Sequence, residues 1–326
     1  MRRIALILVV LATACGSNNG VASTTVAPVA SSTVADTTTT IGQVTTTENP
    51  AFPVTVGAAN GEVTIEQRPE RIVSLAPTAT EVLFAIGAGD QVVAVDQFSY
   101  YPEEAPTTDL SGFEPNVEAV ADFDPDLVVV SDDLNDIISA LTAIGIPVIH
   151  QPAAAAIDDT YAQIEQLGAA TGHIGEAAEV VASMQTEIEE LSGSVPEMEE
   201  PLTYYHELEG TFFTVTSATF VGEVYGIAGL ENIADQAKGA EDLYLQLSAE
   251  YIIDADPDMI FLADTKCCGE SAETVAARPG WDKLTAVTSG AVVPLDDDVA
   301  SRWGPRVVDF LEAVVGAVLG LEPAGP

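Results

Sequence analysis

The residues of this sequence that could carry out chemistry are few and widely spaced. Its three histidines are His150, His173 and His206, and no two of them have a spacing typical of a metal site. The sequence contains no Gly-x-Ser-x-Gly, no phosphate-binding loop and no His-Glu-x-x-His motif. We therefore predict no catalytic residues, no metal site and no cofactor. The histidines are expected to be structural, although His206 follows a strand-like segment and is predicted to lie near a ligand cleft.

Two adjacent cysteines, Cys267 and Cys268, are the most unusual reactive residues. Their adjacency differs from the Cys-x-x-Cys spacing of redox motifs and makes joint tetrahedral binding of zinc awkward. They follow the strand-like segment "MIFLA", and ligands bind at the carboxyl ends of strands in parallel sheets. In an oxidising compartment we predict a vicinal disulfide whose rigid turn contacts a ligand; two free thiols are the alternative.

A repeated segment indicates how the chain is organised. "VEAVADFDPDLVVV" (117–130) reappears as "AEYIIDADPDMIFL" (249–262), and the matching Glu, Pro and Asp residues lie 132 positions apart. Each copy occurs in a series of alternating strand-like and helix-like segments, which predicts parallel sheets with helices on both faces. The repeat therefore indicates two similar lobes.

The predicted fold is α/β, with two Rossmann-like lobes whose parallel sheets are joined by a single long α-helix. The N-terminal lobe covers 53–155, the linking helical segment 156–195 and the C-terminal lobe 196–326. Within the link, "IGEAAEVVASMQTEIEELSG" has the apolar spacing of an amphipathic helix of about 18 residues. In the first lobe, Thr78 and Glu81 fit a capping box, with Thr78 as the N-cap.

The composition is strongly acidic. The chain has 326 residues, and 10 Lys and Arg against 51 Asp and Glu give a formal charge of −41. This charge excludes nucleic acid and anionic membrane surfaces as favourable partners. Hydrophobic residues make up 47% of the chain, which is enough for two buried cores.

The N-terminus has the pattern of an export signal. "MRRIALILVVLATAC" combines two arginines with an apolar run too short to span a membrane, and it resembles a bacterial lipobox that ends at Cys15. We predict a signal peptide at 1–15, lipidation of Cys15 and a disordered Ser/Thr-rich tether at 16–52. The protein would then be anchored to the outer face of the cytoplasmic membrane; simple secretion is the alternative.

The chain resembles the substrate-binding proteins of ABC importers that carry vitamin B12, ferric siderophores and haem. The motifs that carry this resemblance are "RIVSLAPTATEVLFAIGAGDQVVAV", "SYYPEEA", the two repeated segments and "SRWGPRVVDFL". The resemblance implies a small-molecule ligand, a permease and ATPase complex as partner, and a monomer. It also implies that Glu118 and Glu250 dock on the permease; the alternative is that both are merely solvated residues in the first turn of a helix.

The resemblance further implies a set of cleft residues. In the B12-binding members an aromatic residue and an Asp-to-Arg stretch line the cleft, and these positions match Phe98, Asp298 and Arg302. Arg306 continues the match but is expected to be structural. Further candidates are aromatic residues in or beside loops: Tyr100, Tyr101, Phe113, Phe220, Tyr225, Tyr244 and Trp303.

The charge of the cleft loops suggests which ligand is carried. Only Lys266 and Arg302 are basic residues of clear cleft loops, which is too few for a strongly anionic ferric catecholate. We therefore expect cobalamin or a related corrinoid first, a ferric hydroxamate siderophore second and haem third. The rival hypotheses are a tetrapyrrole metal chelatase on the same scaffold and a surface protein that binds only other proteins.

Overall fold

The computed structural model describes residues 51–321, except for the side chain of Leu321. The predicted signal peptide, Cys15 and nearly all of the predicted tether lie outside these residues. Within 51–321, no helix combines the length and the apolar character that crossing a membrane requires.

The N-terminal lobe is built on a four-stranded parallel sheet preceded by an antiparallel hairpin. The hairpin strands are β1 (Val54–Ala58) and β2 (Gly61–Ile65). The sheet strands are β3 (Ile72–Leu75), β4 (Val92–Val95), β5 (Leu127–Val130) and β6 (Val148–His150). They lie in the order β4-β3-β5-β6. Strands β3 and β5 are buried along their whole length, as expected for continuous apolar runs covered on both faces.

The C-terminal lobe repeats this arrangement. Its sheet strands are β7 (Thr203–Glu207), β9 (Glu231–Asn232), β11 (Met259–Leu262) and β12 (Val292–Pro294), and a separate antiparallel pair is formed by β8 (Phe213–Val215) and β10 (Tyr244–Gln246). The parallel sheet has the order β12-β11-β7-β9. In both lobes the first strand therefore lies between the second and the third, and the fourth lies at the far edge. The predicted parallel α/β architecture of two lobes is confirmed.

Helices cover the sheets and connect the lobes. The helices of the N-terminal lobe and the link are α1 (Pro77–Ala85), α2 (Val117–Ala121), α3 (Ile137–Ala143), α4 (Ile157–Thr171) and α5 (Ile174–Ser194). Those of the C-terminal lobe are α6 (Phe220–Ile227), α7 (Ala249–Ala255), α8 (Thr265–Cys268), α9 (Ala272–Ala276), α10 (Thr285–Ser289) and α11 (Val307–Leu321).

The segment 156–195 contains two helices, α4 and α5. The predicted helix corresponds to α5, which has 21 residues, but α4 precedes it. Gly172 separates the two because its φ of 82° is left-handed, a conformation that glycine adopts without strain and that ends a helix. The helices pack closely at Gly168, where an added Cβ would lie 2.4 Å from the Cβ of Ala177.

The predicted capping box at Thr78 is wrong. Helix α1 begins at Pro77, and its N-cap, Ala76, makes no side-chain capping hydrogen bond. Proline is well suited to this position because the first helical residue needs no N–H donor. Glu81 is only 3% exposed and forms ion pairs with Arg302 and Arg306 of the C-terminal lobe, so its carboxylate serves a contact between lobes.

A continuous hydrophobic core crosses the boundary between the lobes. It joins Leu83 of α1 and Leu167 of α4 to Tyr225 of α6 and Phe310 of α11. A smaller core lies on the other face of each sheet, around Val128 in one lobe and around Ile260 in the other. The lobes are therefore packed against each other through apolar side chains.

Candidate functional site

The carboxyl ends of the parallel strands define the candidate cleft. The loop after β4 carries Phe98 and Tyr100, and the loop after β12 carries Asp298. The Tyr100 hydroxyl donates a hydrogen bond to the Asp298 carboxylate at 2.6 Å, so the two loops meet directly. Parallel α/β sheets bind ligands at this edge.

Within residues 51–321, the carboxylate of Asp298 accepts hydrogen bonds from the side chains of three residues. Besides Tyr100, Lys266 Nζ lies 3.0 Å and Arg302 Nη2 2.9 Å from its carboxylate oxygens. Burial favours the protonated carboxyl, but hydrogen bonds from Tyr100 and Lys266 and the nearby positive charges outweigh burial and lower the pKa of Asp298. Asp298 is thus held as a carboxylate. It forms ion pairs with Lys266 and Arg302, the two basic residues that were predicted in the cleft loops.

Arg302 lies mostly beneath the cleft surface. It is 8% exposed, and it donates to Glu81 at 2.7 Å and to the carbonyl oxygen of Phe98 at 3.0 Å. Arg306 also pairs with Glu81, at 2.5 Å, as expected for a structural residue. The structure therefore places both arginines in ion pairs that join the lobes.

Trp303 connects the C-terminal lobe to the linking segment. Its indole N–H donates to the side chain of Gln163 at 3.0 Å, and its carbonyl oxygen accepts from Thr160 at 2.8 Å. Both partners lie on α4, and Trp303 packs against the shared core.

Four of the predicted aromatic residues are exposed in the N-terminal lobe. Phe98 and Phe113 contact each other edge to face, with ring centroids 5.5 Å apart. Tyr100 is 58% exposed, and the guanidinium carbon of Arg302 lies 5.3 Å from its ring centroid. Tyr101 lies under Arg306 and lines a pocket of about 390 Å³ beside Glu81. In the C-terminal lobe, Tyr244 is exposed on β10.

Two further aromatic candidates, Phe220 and Tyr225, are core residues, so their predicted place in the cleft wall is wrong. Tyr225 is fully buried and stacks on Tyr204 with ring centroids 4.0 Å apart, and Phe220 is 8% exposed. Both belong to the apolar face of α6, where periodic apolar residues pack inward.

His206 is a core residue too, so its predicted place near the cleft is wrong. It is fully buried, and its Nδ1 lies 2.8 Å from the Tyr225 hydroxyl. Burial alone lowers its pKa to about 3, so the imidazole is neutral. His206 points into the core because side chains on neighbouring strand positions alternate between the two faces of the sheet.

Cys267 and Cys268 are exposed on the short helix α8, beside the Asp296–Asp298 loop. Their sulfur atoms lie within bonding distance of each other. The carboxylate of Asp297 accepts hydrogen bonds from the backbone N–H groups of Thr265, Lys266 and Cys267, each at 2.9 Å. These bonds fix the turn next to the cleft loop that contains Asp298.

A group of carboxylates at the same edge of the C-terminal sheet was not found in the sequence. Glu207, Asp264 and Glu270 each place an oxygen within 4.8 Å of the others. Arg278 pairs with Glu207 at 2.6 Å and with Glu270 at 2.7 Å. Burial, followed by the charges of Glu207 and Glu270, raises the pKa of Asp264 to about 7. Two of the acids directly follow strand-like segments, which is the one signal that could have indicated their proximity.

The predicted docking residues occupy equivalent positions in the two lobes. Glu118 and Glu250 are exposed, and each is the second residue of its helix, α2 or α7. The side chains of Asn116 and Ser248 cap these helices in the same way, by accepting from the backbone N–H three residues later. The matching caps give the two carboxylates matching local geometry.

A larger cavity than the one beside Glu81 lies elsewhere. Its volume is about 650 Å³, and it is lined by Arg68, Pro125 and Ile146 among others. Pro125 and Ile146 precede strands, so this cavity lies at the amino-terminal edge of the N-terminal sheet, opposite to the edge where such sheets bind ligands.

The fold and the cleft define a two-lobed binding protein, and comparisons with known proteins agree. The model of the periplasmic binding protein family matches residues 72–299. An uncharacterized ABC transporter substrate-binding lipoprotein of Bacillus subtilis, YvrC, is 31% identical over 82% of this chain and 86% of its own length.

Two further relatives extend this comparison. A cobalamin-binding protein of Halobacterium salinarum is 32% identical over 82% of this chain and 74% of its own length. The crystal structure of a possible iron-binding (periplasmic solute-binding) protein from Staphylococcus epidermidis superposes with a TM-score of 0.68 at 25% identity, over 77% of this chain and 99% of the other.

The chain belongs to the periplasmic binding protein family. The resemblance to the substrate-binding proteins of ABC importers is thereby confirmed, and so is the prediction that the protein binds a ligand and is not an enzyme.

Proposed function

We propose that this protein is a lipid-anchored, extracytoplasmic binding protein that captures cobalamin or a related corrinoid between its lobes and delivers it to the permease of an ABC importer. The proposal depends on one observation. The edge of the cleft has exposed aromatic side chains, and the basic side chains near them already form ion pairs with carboxylates of the protein. Phe98, Tyr100 and Phe113 offer stacking surfaces, and Tyr244 is the candidate from the other lobe. A large planar ligand is held by such surfaces and needs few fixed charges.

The electrostatics of the cleft support a neutral or cationic ligand. Lys266 is hydrogen bonded to Asp296 and Asp298, and Arg302 is mostly buried in ion pairs. An anionic ligand would have to break these pairs and would meet the neighbouring carboxylates. Haem, with its two propionates, is therefore less favoured than a corrinoid.

The names of the relatives fit both candidate ligands. The Halobacterium salinarum relative is named as a cobalamin-binding protein. The Staphylococcus epidermidis structure is described as a possible iron-binding protein, which favours the second candidate, a ferric hydroxamate siderophore. A neutral ferric hydroxamate would also leave the ion pairs of Lys266 and Arg302 intact. A titration with each ligand distinguishes the two candidates.

The contacts between the lobes support capture without a wide hinge motion. Glu81 holds Arg302 and Arg306 across the boundary, and Trp303 is tied to α4 by two hydrogen bonds. A single apolar core also crosses this boundary. Wide opening would expose this core and break buried ion pairs, so we expect small adjustments of the cleft loops instead.

Glu118 and Glu250 are proposed to dock on the permease. Two exposed carboxylates in matching positions suit two arginine-containing surfaces of a two-fold symmetric transporter. Cys15 is the proposed lipid attachment site, and Cys267–Cys268 is proposed to be a disulfide in the exported protein. Mass spectrometry of the protein from membranes, before and after reduction, tests both modifications.

The ligand is tested by calorimetric titration of the full chain with cyanocobalamin, a neutral ferric hydroxamate and haem, each in turn. We expect saturable binding of cyanocobalamin and about tenfold weaker binding by Phe98→Ala and Tyr244→Ala, since buried aromatic contacts dominate such sites. Ile144→Ala is the matched control because Ile144 is exposed at the opposite edge of its sheet.

Each outcome of this titration has a defined meaning. Binding of the hydroxamate alone would keep the importer and reject the corrinoid, whereas binding of haem alone would also reject the charge argument. Binding of none of the three would reject the proposed ligand class.

A further inference from the structure

The C-terminal lobe contains three carboxylates that the proposed ligand cleft does not use. Glu207 ends β7, Asp264 lies two residues after β11, and Glu270 lies between α8 and α9. We propose that these three residues bind a divalent metal ion, for which calcium is the best match. The site would belong to the protein itself and would be separate from the transported ligand.

The distances between the carboxylate oxygens suit a shared ion. One oxygen from each residue lies within 4.8 Å of the other two. Calcium binds oxygen at about 2.3–2.6 Å, so two oxygens on the same ion lie up to about 5 Å apart. The three side chains therefore need no large movement to coordinate one ion.

The charge of the group is unbalanced. Arg278 forms a bidentate pair with Glu207 and a single contact with Glu270, and its guanidinium carbon lies 4.7 Å from the ring centroid of Trp281 and 5.6 Å from that of Phe212. One guanidinium beside three carboxylates leaves an excess of negative charge. A divalent cation would neutralise it.

Asp264 is the residue that most requires a partner. It is 0% exposed, and neither of its carboxylate oxygens has a hydrogen-bond partner anywhere in residues 51–321. Leaving a buried carboxylate unpaired is strongly unfavourable, because it loses hydration and gains nothing in return. Tyr205, two residues before Glu207 on β7, carries another buried oxygen that lacks a partner within the same part of the chain.

The donor atoms favour a hard cation. The cluster offers oxygen ligands and neither imidazole nor thiolate, which excludes a typical zinc or copper site. Magnesium requires nearly ideal octahedral geometry, whereas calcium accepts irregular sets of carboxylates and water. Calcium is also abundant outside cells, where a site with a dissociation constant of about 0.1–1 mM is occupied.

Binding of an ion would stabilise the turn that carries the cysteines. The carbonyl oxygen of Asp264 accepts hydrogen bonds from the N–H groups of Cys268 at 3.2 Å and of Glu270 at 3.4 Å. The ion would thus connect β7, β11 and the turn with Cys267 and Cys268. The carboxylate of Asp297 accepts a hydrogen bond from the backbone N–H of Cys267, and this bond links the turn to the neighbouring cleft loop.

Terbium luminescence offers a test that does not depend on ligand transport. Terbium replaces calcium at oxygen sites and emits when a nearby tryptophan is excited. Trp281 packs on Arg278, with the guanidinium carbon 4.7 Å from its ring centroid, whereas the other tryptophan, Trp303, contacts α4. We expect sensitised emission from the full chain that saturates at one ion and is displaced by calcium.

Variants separate this site from general binding of cations to an acidic protein. Asp264→Asn keeps the side-chain shape and should abolish the saturable emission. Glu273→Gln removes a nearby exposed charge and should leave it intact. If Asp264→Asn fails to fold, Glu270→Gln replaces it, because Glu270 is partly exposed.

Thermal unfolding gives the second measurement. Calcium at about ten times its dissociation constant should raise the melting temperature of the EDTA-treated full chain by about 2–6 °C, and Asp264→Asn should show no increase. Equal emission from Asp264→Asn and Glu273→Gln, or no response to calcium in the unmodified chain, would overturn the proposal. A proton held by Asp264 would then remove the charge from its buried carboxyl.

Discussion

The two lobes share their strand order but differ at the carboxyl edge of their parallel sheets. The repeated segments keep a spacing of 132 residues through helix, turn and strand. At the helix start this correspondence is close, because Glu118 and Glu250 follow equivalent side-chain caps. At the carboxyl ends of the strands, equivalent positions of the repeat hold the same residue type, but one is exposed and the other is buried.

Asp132 and Asp264 make this difference visible. They occupy the same position in the repeat, after β5 and β11, but Asp132 is exposed and Asp264 is fully buried. The neighbouring strands differ as well, since Leu75 ends β3 where Glu207 ends β7. The C-terminal lobe thus buries a polar cluster where the N-terminal lobe has an apolar side chain and solvent.

The difference suggests a division of roles along each lobe. A two-fold symmetric transporter would require the same carboxylate on both lobes, and the helix starts are the same. A ligand held between the lobes has no such symmetry, so the strand ends are free to diverge. The proposed functions of the two edges account for both observations.

The largest expected effect concerns Glu118 and Glu250, the matching residues at the starts of α2 and α7. Reversing both charges, with Glu118→Arg and Glu250→Arg, should abolish import and leave ligand affinity unchanged, because the two residues are proposed to contact the transporter and not the ligand. Uptake of labelled ligand by cells and calorimetry of the purified variant measure the two quantities.

A matched double variant controls for the change in net charge. Glu189→Arg with Glu190→Arg alters two exposed residues of α5 and should import normally. Normal import by the variant of Glu118 and Glu250 would remove the docking role and, with it, the functional reason for the symmetry.

The second prediction concerns the contact between the lobes. Glu81→Gln should lower the free energy of unfolding by about 3–5 kcal/mol, because it leaves Arg302 and Arg306 without their shared buried partner. Urea unfolding measures the change. Glu103→Gln, an exposed neighbour in the same lobe, should change stability by less than about 0.5 kcal/mol, and a similarly small loss for Glu81→Gln would contradict the role of the pair.

The third prediction concerns a buried residue that only the C-terminal lobe has. His206 has a pKa of about 3 in the folded protein, against an ordinary 6.5, so the unfolded chain takes up the proton first. This contribution to stability should therefore be fully present above pH 6.5 and be lost as the pH decreases, by roughly 4 kcal/mol at pH 3.

Urea unfolding at a series of pH values measures this dependence. His206→Gln should weaken it, whereas His150→Gln should not, because His150 is partly exposed at the end of β6. The same pH dependence in both variants would show that other groups cause the acid sensitivity.

The smallest expected effect compares the paired aspartates directly. In EDTA at pH 8, Asp264→Asn should raise the free energy of unfolding by about 1–3 kcal/mol, since it removes an unpaired buried charge. Asp132→Asn should change it by less than about 0.5 kcal/mol, since Asp132 is hydrated. Equal effects of the two substitutions would mean that burial does not distinguish the lobes.

The sequence alone predicted two parallel α/β lobes. Strand β11, at "MIFL", lies where its apolar run predicted it, because the local hydrophobic pattern decides which segments can be buried. The repeat predicted the two lobes, and the motifs identified the family. The hairpin β1–β2 and the strands β8 and β10 were missed, since short antiparallel pairs depend on partners that a local pattern does not reveal.

Only the tertiary structure decided which polar residues meet. Glu81 was predicted to complete a capping box with Thr78, but it pairs with Arg302, which lies 221 residues further along the chain. Glu207, Asp264, Glu270 and Arg278 have no recognisable spacing, and the strand order brings them together. The local apolar pattern determines the helices and strands, because the buried face of each one is formed by residues that are close in sequence. The pairing of charges depends on which strand ends become neighbours, and that is set by the packing of the whole chain.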